Sequence, residues 1–232
     1  MPAKQPERKP QGGKGIVIVD DHSIVRRGLT ALINSEPDLA VCGEAATCQA
    51  ALRAIGQSTP DLVIVDLALE GGDDGLDLVK DMKTRHPKIP VLVLSMHPEE
   101  VYAERALRAG ARGYLTKQQL DETVLVAIRR LLSGEMYMSD TLAARLATQF
   151  VSGHKGKTGE TDSPLAGLSD RELQVFRLLG QGRSTREIAQ TLHLSMKTIE
   201  SYREHLKQKL TIASGPALVR RATRWVETGQ SS

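Results

Sequence analysis

At 232 residues the chain is long enough for one large or two ordinary domains, and its 40% hydrophobic and 25% charged residues are an ordinary soluble composition. No apolar run approaches the length of a bilayer span, which excludes a membrane-spanning reading. The net charge of +3 is unevenly spread. Residues 15–133 carry 13 Lys and Arg against 17 Asp and Glu, residues 164–232 carry 11 against 6, and a basic end of that kind suits a polyanionic partner.

Residues 1–14 are rich in Pro, Gly and charge, lack periodicity and read as disordered; they also lack the apolar core of a signal peptide, so a cytoplasmic protein is expected. A β/α alternation then begins. Ile16, Val17, Ile18 and Val19 form a first buried strand, and Ile24, Leu29, Leu32 and Ile33 a helical stripe. Leu39, Ala40, Val41 and Cys42 read as a second strand, followed by a helix carrying Ala50, Leu52 and Ile55 that ends near Gly56. Residues 61–66 give a third strand, and Leu76, Leu78, Val79 and Met82 the next helix. Residues 91–94 form a fourth strand reaching Ser95, and Val101, Ala103, Ala106 and Leu107 a fourth helix. Gly113, Tyr114, Leu115 and Thr116 make a fifth strand ending at Lys117, and Leu120, Val124, Ala127, Ile128 and Leu131 a fifth helix. Five such units imply a parallel, doubly wound sheet with helices on both faces, the flavodoxin-like arrangement.

Residues 134–164 read as a link: a connecting helix over 139–150, with Leu142, Leu146 and Phe150 on one face, and then a Gly- and Ser-containing tether over 152–164. Residues 165–228 read as an all-α unit of four helices. Ser169 with Glu172, and Ser184 with Glu187, are S-x-x-E capping boxes that open the first two. Ser195 caps a third helix from Met196 to Leu210, and Pro216 sits in the first turn of a fourth. Cys42 and Cys48 match neither a zinc spacing nor a disulfide framework.

The chemistry concentrates at the strand ends. Asp20 and Asp21 follow the first strand, Asp66 the third, Ser95 the fourth and Lys117 the fifth, and open α/β sheets place their ligands at that edge. Helix capping by each Asp is the competing reading. Three converging carboxylates need a cation, and a hard divalent ion such as Mg²⁺ takes oxygen ligands. With Lys117 and Ser95 beside them, the set suits a phosphoryl group attacked by a carboxylate oxygen.

In this order, Asp20, Asp21, Asp66, Ser95 and Lys117 resemble the receiver domain of two-component response regulators over residues 15–133. The resemblance implies that Asp66 is the phosphoacceptor from a histidine kinase. It implies that Asp20, Asp21, Asp66 and the backbone carbonyl of Ala68 hold Mg²⁺. Ser95 and Lys117 would meet the phosphate, with Tyr114 as the aromatic switch; a half-buried strand aromatic is the simpler account of Tyr114. Ala68 and His97, two residues beyond Asp66 and Ser95, would flank the phosphate and tune its hydrolysis. The chain departs from the family where Leu69 is followed by Glu70 rather than Pro, and where the loop to Gly75 is one residue longer.

Residues 182–203 are similar to the LuxR-type helix-turn-helix, and the whole order resembles the NarL/FixJ class of response regulators. On the third helix, Ile199, Leu206 and Leu210 share an inward face. Lys197, Thr198, Glu200, Ser201, Arg203, Glu204 and Lys207 are the expected DNA-binding residues, with Lys197, Arg203 and Lys207 on phosphates and Glu200 on a cytosine amino group. A mixed-charge solvated helix face is the bland alternative. Leu218, Ala222 and Trp225 resemble the family's dimer helix, with intradomain core as the competing role. The expectation is a non-enzymatic, phosphorylated, dimeric regulator that binds double-stranded promoter DNA, with RNA polymerase as a further contact. Its rivals are a regulator that acts independently of phosphorylation or through protein contacts alone, and an aspartate-nucleophile phosphatase. The phosphatase needs a second Asp where Ala68 stands.

Overall fold

Runs that are apolar at every position become the middle of a sheet covered on both faces. In the computed structural model, which describes residues 13–69, 74–96, 99–119, 122–151 and 164–228, five strands lie parallel in the order β2-β1-β3-β4-β5. These are β1 Lys14–Val19, β2 Leu39–Ala45, β3 Leu62–Val65, β4 Val91–Ser95 and β5 Gly113–Thr116. Helices alternate with them: α1 Ser23–Asn34, α2 Cys48–Ser58, α3 Gly75–Arg85, α4 Glu99–Ala109 and α5 Glu122–Leu132. The predicted parallel, doubly wound sheet is the architecture observed. The loop residues 70–73, His97, Leu120, residues 1–12 and the tether residues 152–163 lie outside the described residues.

Side chains alternate between the two faces of a strand. Ile16, Ile18, Leu62, Ile64, Leu92, Leu94 and Leu115 therefore point one way, where they meet Leu29 and Ile33 of α1 and Val124, Ala127, Ile128 and Leu131 of α5. The intervening valines, Val17, Val19, Val63, Val65, Val91 and Val93, are equally buried on the opposite face, beneath α2, α3 and α4.

Several boundaries differ from the sequence reading. Lys14, placed in the disordered N-terminus, already belongs to β1, and its backbone N–H donates to the Asp38 carbonyl at 2.9 Å. β2 runs three residues beyond Cys42, pairing with β1 up to Val19 and Ala45, and the β1–β2 register shifts between Ile16 and Val17 so that Cys42 is an extra residue. α2 passes through Gly56 and stops at Thr59, whose φ of 44° is left-handed; the exposed Gly56 has no conformational need to end the helix there. Ile24, expected in the inward stripe, is 74% exposed, while Val25 packs against the core in its place. Val25 stands four and eight residues before Leu29 and Ile33, the spacing of one helix face, whereas Ile24 does not.

Residues assigned to the link also belong to the first unit. Gly113 and Tyr137 form a parallel bridge, with Tyr114 N–H donating to Tyr137 O at 3.1 Å and Tyr137 N–H to Arg112 O at 3.0 Å. The connecting helix is α6, Asp140–Val151, and the chain divides between Ala143 and Ala144 into two compact units.

The second unit opens with a 3₁₀ turn at Pro164–Gly167 that buries Leu165 and Leu168, a feature without a periodic signal. α7 Asp170–Gly180, α8 Thr185–Thr191, α9 Met196–Lys209 and α10 Gly215–Thr228 follow. Both capping boxes are present: Ser169 and Ser184 each accept from the N3 backbone, while Glu172 and Glu187 each accept from the cap backbone. Hydrogen bonding to Ser184 lowers the Glu187 pKa. In the core, Phe176 of α7 meets Trp225 of α10 at a centroid separation of 5.7 Å. A Cβ on Gly180 would lie 2.4 Å from the Ala222 carbonyl oxygen, so these two helices touch through their backbones.

Leu218, Ala222 and Trp225 are thus all buried, and the contacts of Ala222 and Trp225 are inside this unit. These contacts give the three residues the intradomain core role that competes with the dimer reading. A Phe176→Ala substitution should cost about 3–5 kcal/mol, a large share of the stability of so small a unit. Trp225 is the single tryptophan of the chain. A urea titration followed by its fluorescence should show a lowered midpoint for Phe176→Ala, while the far-ultraviolet transition of the first unit stays in place.

Candidate functional site

The strand order decides which residues meet. Val19 pairs with Val65, Val65 with Val93, and Ser95 with Thr116, so the carboxyl ends of β1, β3, β4 and β5 lie side by side. The residues that follow them converge. Asp66 N–H donates to Val19 O at 2.8 Å and Asp20 N–H to Ala45 O at 3.0 Å, which holds both backbones at the sheet edge. Asp20, Asp66, Ser95 and Lys117 are all buried.

Lys117 Nζ lies 2.6 Å from Asp66 Oδ2 and 2.7 Å from Asp20 Oδ2. Burial alone would lower the Lys117 pKa, but the two carboxylates outweigh it and hold the ammonium above its ordinary value. Burial raises the Asp66 pKa, and the neighbouring charge of Asp20 adds to the rise; Lys117 offsets part of it. Asp66 Oδ1 accepts from the backbone N–H of Ala68 at 3.2 Å.

Helix capping does not account for these carboxylates. The N-cap position of α1 is His22, whose side chain makes no cap bond, and that of α3 is Asp74, which accepts from Leu76 N–H. Asp20 Oδ1 instead accepts from His22 N–H at 2.8 Å, in a short turn that aims the carboxylate back into the pocket. Gly75 makes the pocket floor possible: its N–H donates to Leu67 O, and a Cβ there would lie 2.1 Å from the Asp66 carbonyl oxygen.

Three carboxylates face one ammonium. Asp20, Asp21, His22 and Asp66 each offer a ligand atom within 4.8 Å of the others. Asp21 Oδ1 is buried without an aligned hydrogen bond, although His22 Nδ1 approaches it to 2.6 Å. An acceptor left in that state is costly unless something positive meets it. The oxygen donors and the uncompensated negative charge therefore fit a hard divalent cation, with Asp20, Asp21 and Asp66 as side-chain ligands. His22 was not singled out in the sequence. Its place directly after two aspartates, with a ligand-type side chain, was the available signal.

Tyr114 is buried, and its hydroxyl is hydrogen-bonded to the Ser95 side chain. Burial pushes the phenol well above its usual pKa. A half-buried strand aromatic does not describe this residue. Ala68 and Asp74 form an antiparallel bridge beside the pocket.

In the second unit, Ser195 accepts from Thr198 N–H and caps α9, while Ile199 and Leu206 are fully buried and Leu210 nearly so. Lys197, Glu200, Ser201 and Glu204 are exposed on the opposite side, together with Met196, His205 and Gln208. Thr198 is half-buried, with its hydroxyl 2.8 Å from Ser195 Oγ. Lys207 Nζ lies 2.8 Å from Glu204 Oε1. Arg203 departs from the expectation of a free phosphate partner. It is half-buried, and its guanidinium donates to Thr185 Oγ1 at 2.8 Å, tying α9 to the first turn of α8. Its position between the inward and outward arcs explains the difference. Lys209 similarly reaches Glu172 at 2.7 Å, so that side of α9 is anchored to the α7 cap.

Comparison with known proteins is consistent with this geometry. The family described as "Response regulator receiver domain" matches residues 16–129, and "Bacterial regulatory proteins, luxR family" matches residues 166–222. The oxygen regulatory protein NreC of Staphylococcus aureus (strain MRSA252) is 36% identical over 209 residues, spanning 90% of this chain and 96% of that one. The RcsB response regulator of Salmonella typhimurium is similar in structure, with a TM-score of 0.71 and 25% identity over 92% of this chain and 98% of that one. A LuxR-family two-component response regulator from Aurantimonas sp. SI85-9A1 is 36% identical, with a TM-score of 0.54 over 60% of this chain and 99% of that one. The chain belongs to the NarL/FixJ class of two-component response regulators, transcription regulators that join a receiver to a LuxR-type DNA-binding domain.

Proposed function

We propose that a histidine kinase phosphorylates this regulator on Asp66, and that it then binds promoter DNA as a dimer through α9. The observation that carries the proposal is the buried Asp66 carboxylate at the sheet edge, 2.6 Å from Lys117 and beside Asp20 and Asp21. An Asp66 oxygen forms the new bond to phosphorus as the bond from phosphorus to the kinase imidazole nitrogen breaks, and the imidazole leaves and takes up a proton. Lys117 then gives its charge to a phosphoryl oxygen, and the Ser95 hydroxyl can donate to another while still accepting from Tyr114. Asp20, Asp21, Asp66 and the Ala68 carbonyl would hold Mg²⁺, which would supply further positive charge for the transferred group. Ala68 and His97 set how water reaches the product. An aspartate-nucleophile phosphatase is disfavoured, since Ala68 offers no acid or base.

The added charge of about −1.5 to −2 enters a pocket already tuned by one ammonium. RcsB of Salmonella enterica serovar Typhimurium has been solved bound to promoter rprA in the presence of phosphomimetic BeF3-, with a TM-score of 0.66 to this chain, which supports carrying that behaviour over. On DNA, Lys197 and Lys207 would meet phosphates, and Glu200, Ser201 and Glu204 would face the major groove. Arg203 would shape the reading helix from behind. A second copy would meet the accessible side of α10, where Val226 is exposed and Val219 and Thr223 are half-buried. RNA polymerase is the expected onward partner.

Three outcomes test this reading. Incubation with acetyl phosphate and Mg²⁺ should give a base-labile adduct that peptide mass spectrometry maps to Asp66, absent from Asp66→Asn; no adduct in the wild type ends the proposal. Mg²⁺ should raise the melting temperature of the wild-type chain, and Asp21→Asn should remove most of that rise. Lys207→Ala should weaken binding to every duplex and reduce the salt slope by about 1, whereas Glu200→Ala should change preference at one base by about 1–3 kcal/mol. Equal effects of both substitutions on specific and random DNA would contradict the assignment of α9.

A further inference from the structure

The link back from α5 is held to the receiver at two points. At the first, Tyr137 pairs with β5 next to Tyr114, and the Arg130 guanidinium lies over its ring at 5.9 Å. The second point is a single carboxylate. Ser139 N–H donates to Glu99 Oε1 at 3.3 Å, and Ser139 Oγ donates to Glu99 Oε2 at 2.5 Å. Both oxygens of Glu99 are thus spent on one residue 40 positions away in sequence. Ser139 Oγ also accepts from Leu142 N–H at 3.1 Å, so the same hydroxyl caps the first turn of α6.

The two ends of this contact differ in what they follow. Glu99 is the first residue of α4, four positions beyond Ser95. Ser95 lines the phosphoryl pocket and is hydrogen-bonded to Tyr114, whose hydroxyl also feels the carboxylate charges of Glu99 and Asp66. Ser139 directly precedes α6, the helix by which the chain leaves the receiver unit. A bidentate carboxylate contact fixes direction as well as distance. A shift of the α4 first turn must therefore move the start of α6 or break the contact.

We propose that Glu99 is a positioning residue that couples the state of the phosphoryl pocket to DNA binding by gripping Ser139 at the entrance to α6. The proposal deepens the reading of Asp66 as phosphoacceptor and rests on it. Glu99 takes no part in phosphoryl transfer. It converts displacement at the end of β4 into a change in how α6 begins, so phosphorylation and DNA binding share one coupling free energy that depends on this contact.

The test uses the full chain and a duplex selected in vitro by the wild type. The quantity read is the ratio of dissociation constants without and with acetyl phosphate, alongside the phosphorylated fraction of Asp66 by mass. Glu99→Ala and Ser139→Ala should each reduce the ratio by about threefold or more, with the phosphorylated fraction unchanged. The double variant should lose no more than the larger single variant, as expected of two partners in one contact. Ser139→Thr keeps the hydroxyl and should restore the wild-type ratio. If Ser139 matters only as a helix cap, Glu99→Ala leaves the ratio unchanged, and the proposal is overturned. Additive losses in the double variant overturn it too. A wild-type chain that forms the adduct yet shows no change in DNA affinity removes the switching reading and this proposal together; a responsive wild type with equally responsive variants removes this proposal alone.

Discussion

The buried charge cluster of Lys117, Asp20 and Asp66 is the constraint on which the receiver depends. Removing charges from water is costly, and opposite charge within hydrogen-bond distance repays that cost only with close geometry. The sheet supplies the geometry. Parallel strands place all their carboxyl ends on one edge, and the order β2-β1-β3-β4-β5 brings the ends of β1, β3, β4 and β5 into a row. In this order Lys117, at the end of β5, reaches Asp66 after β3 and Asp20 after β1. The valines and isoleucines of the sheet therefore do more than exclude water: their pairing sets the distances at which three aspartates, a serine and a lysine meet.

The same cluster is left incomplete. One ammonium serves three carboxylates, and Asp21 Oδ1 has no aligned donor among the described residues. Folded proteins rarely leave a buried acceptor in this condition without a functional reason. The pocket is consequently a place where further positive charge is favoured. Burial at Asp66 acts in the same direction, since it raises the energy of the bare carboxylate.

Much of this was legible in the sequence because the signals are local. Strands apolar at every position, aspartates at their ends and S-x-x-E boxes each depend on a few neighbouring residues, and the structure places all of them in the elements expected. What was not legible depends on contacts between elements. Nothing near Arg203 announces that Thr185 will draw its guanidinium back. Nothing in the periodicity of α10 announces the close approach of Gly180 to Ala222. Tyr137 and Ser139 look like linker residues until β5 and Glu99 are seen to hold them. Ile24 lies five residues before Leu29, off the stripe that Val25, Leu29, Leu32 and Ile33 share, and it faces solvent.

The two margins of the sheet carry a further consequence. An open strand flank is a template for indiscriminate strand addition. On the β2 side the extra residue Cys42 disturbs the ladder, its thiol donating to the Ile16 carbonyl at 3.5 Å. On the β5 side the returning chain at Tyr137 occupies backbone groups that would otherwise invite a neighbour. An irregular strand at one margin and a paired strand at the other both work against edge-to-edge sheet extension.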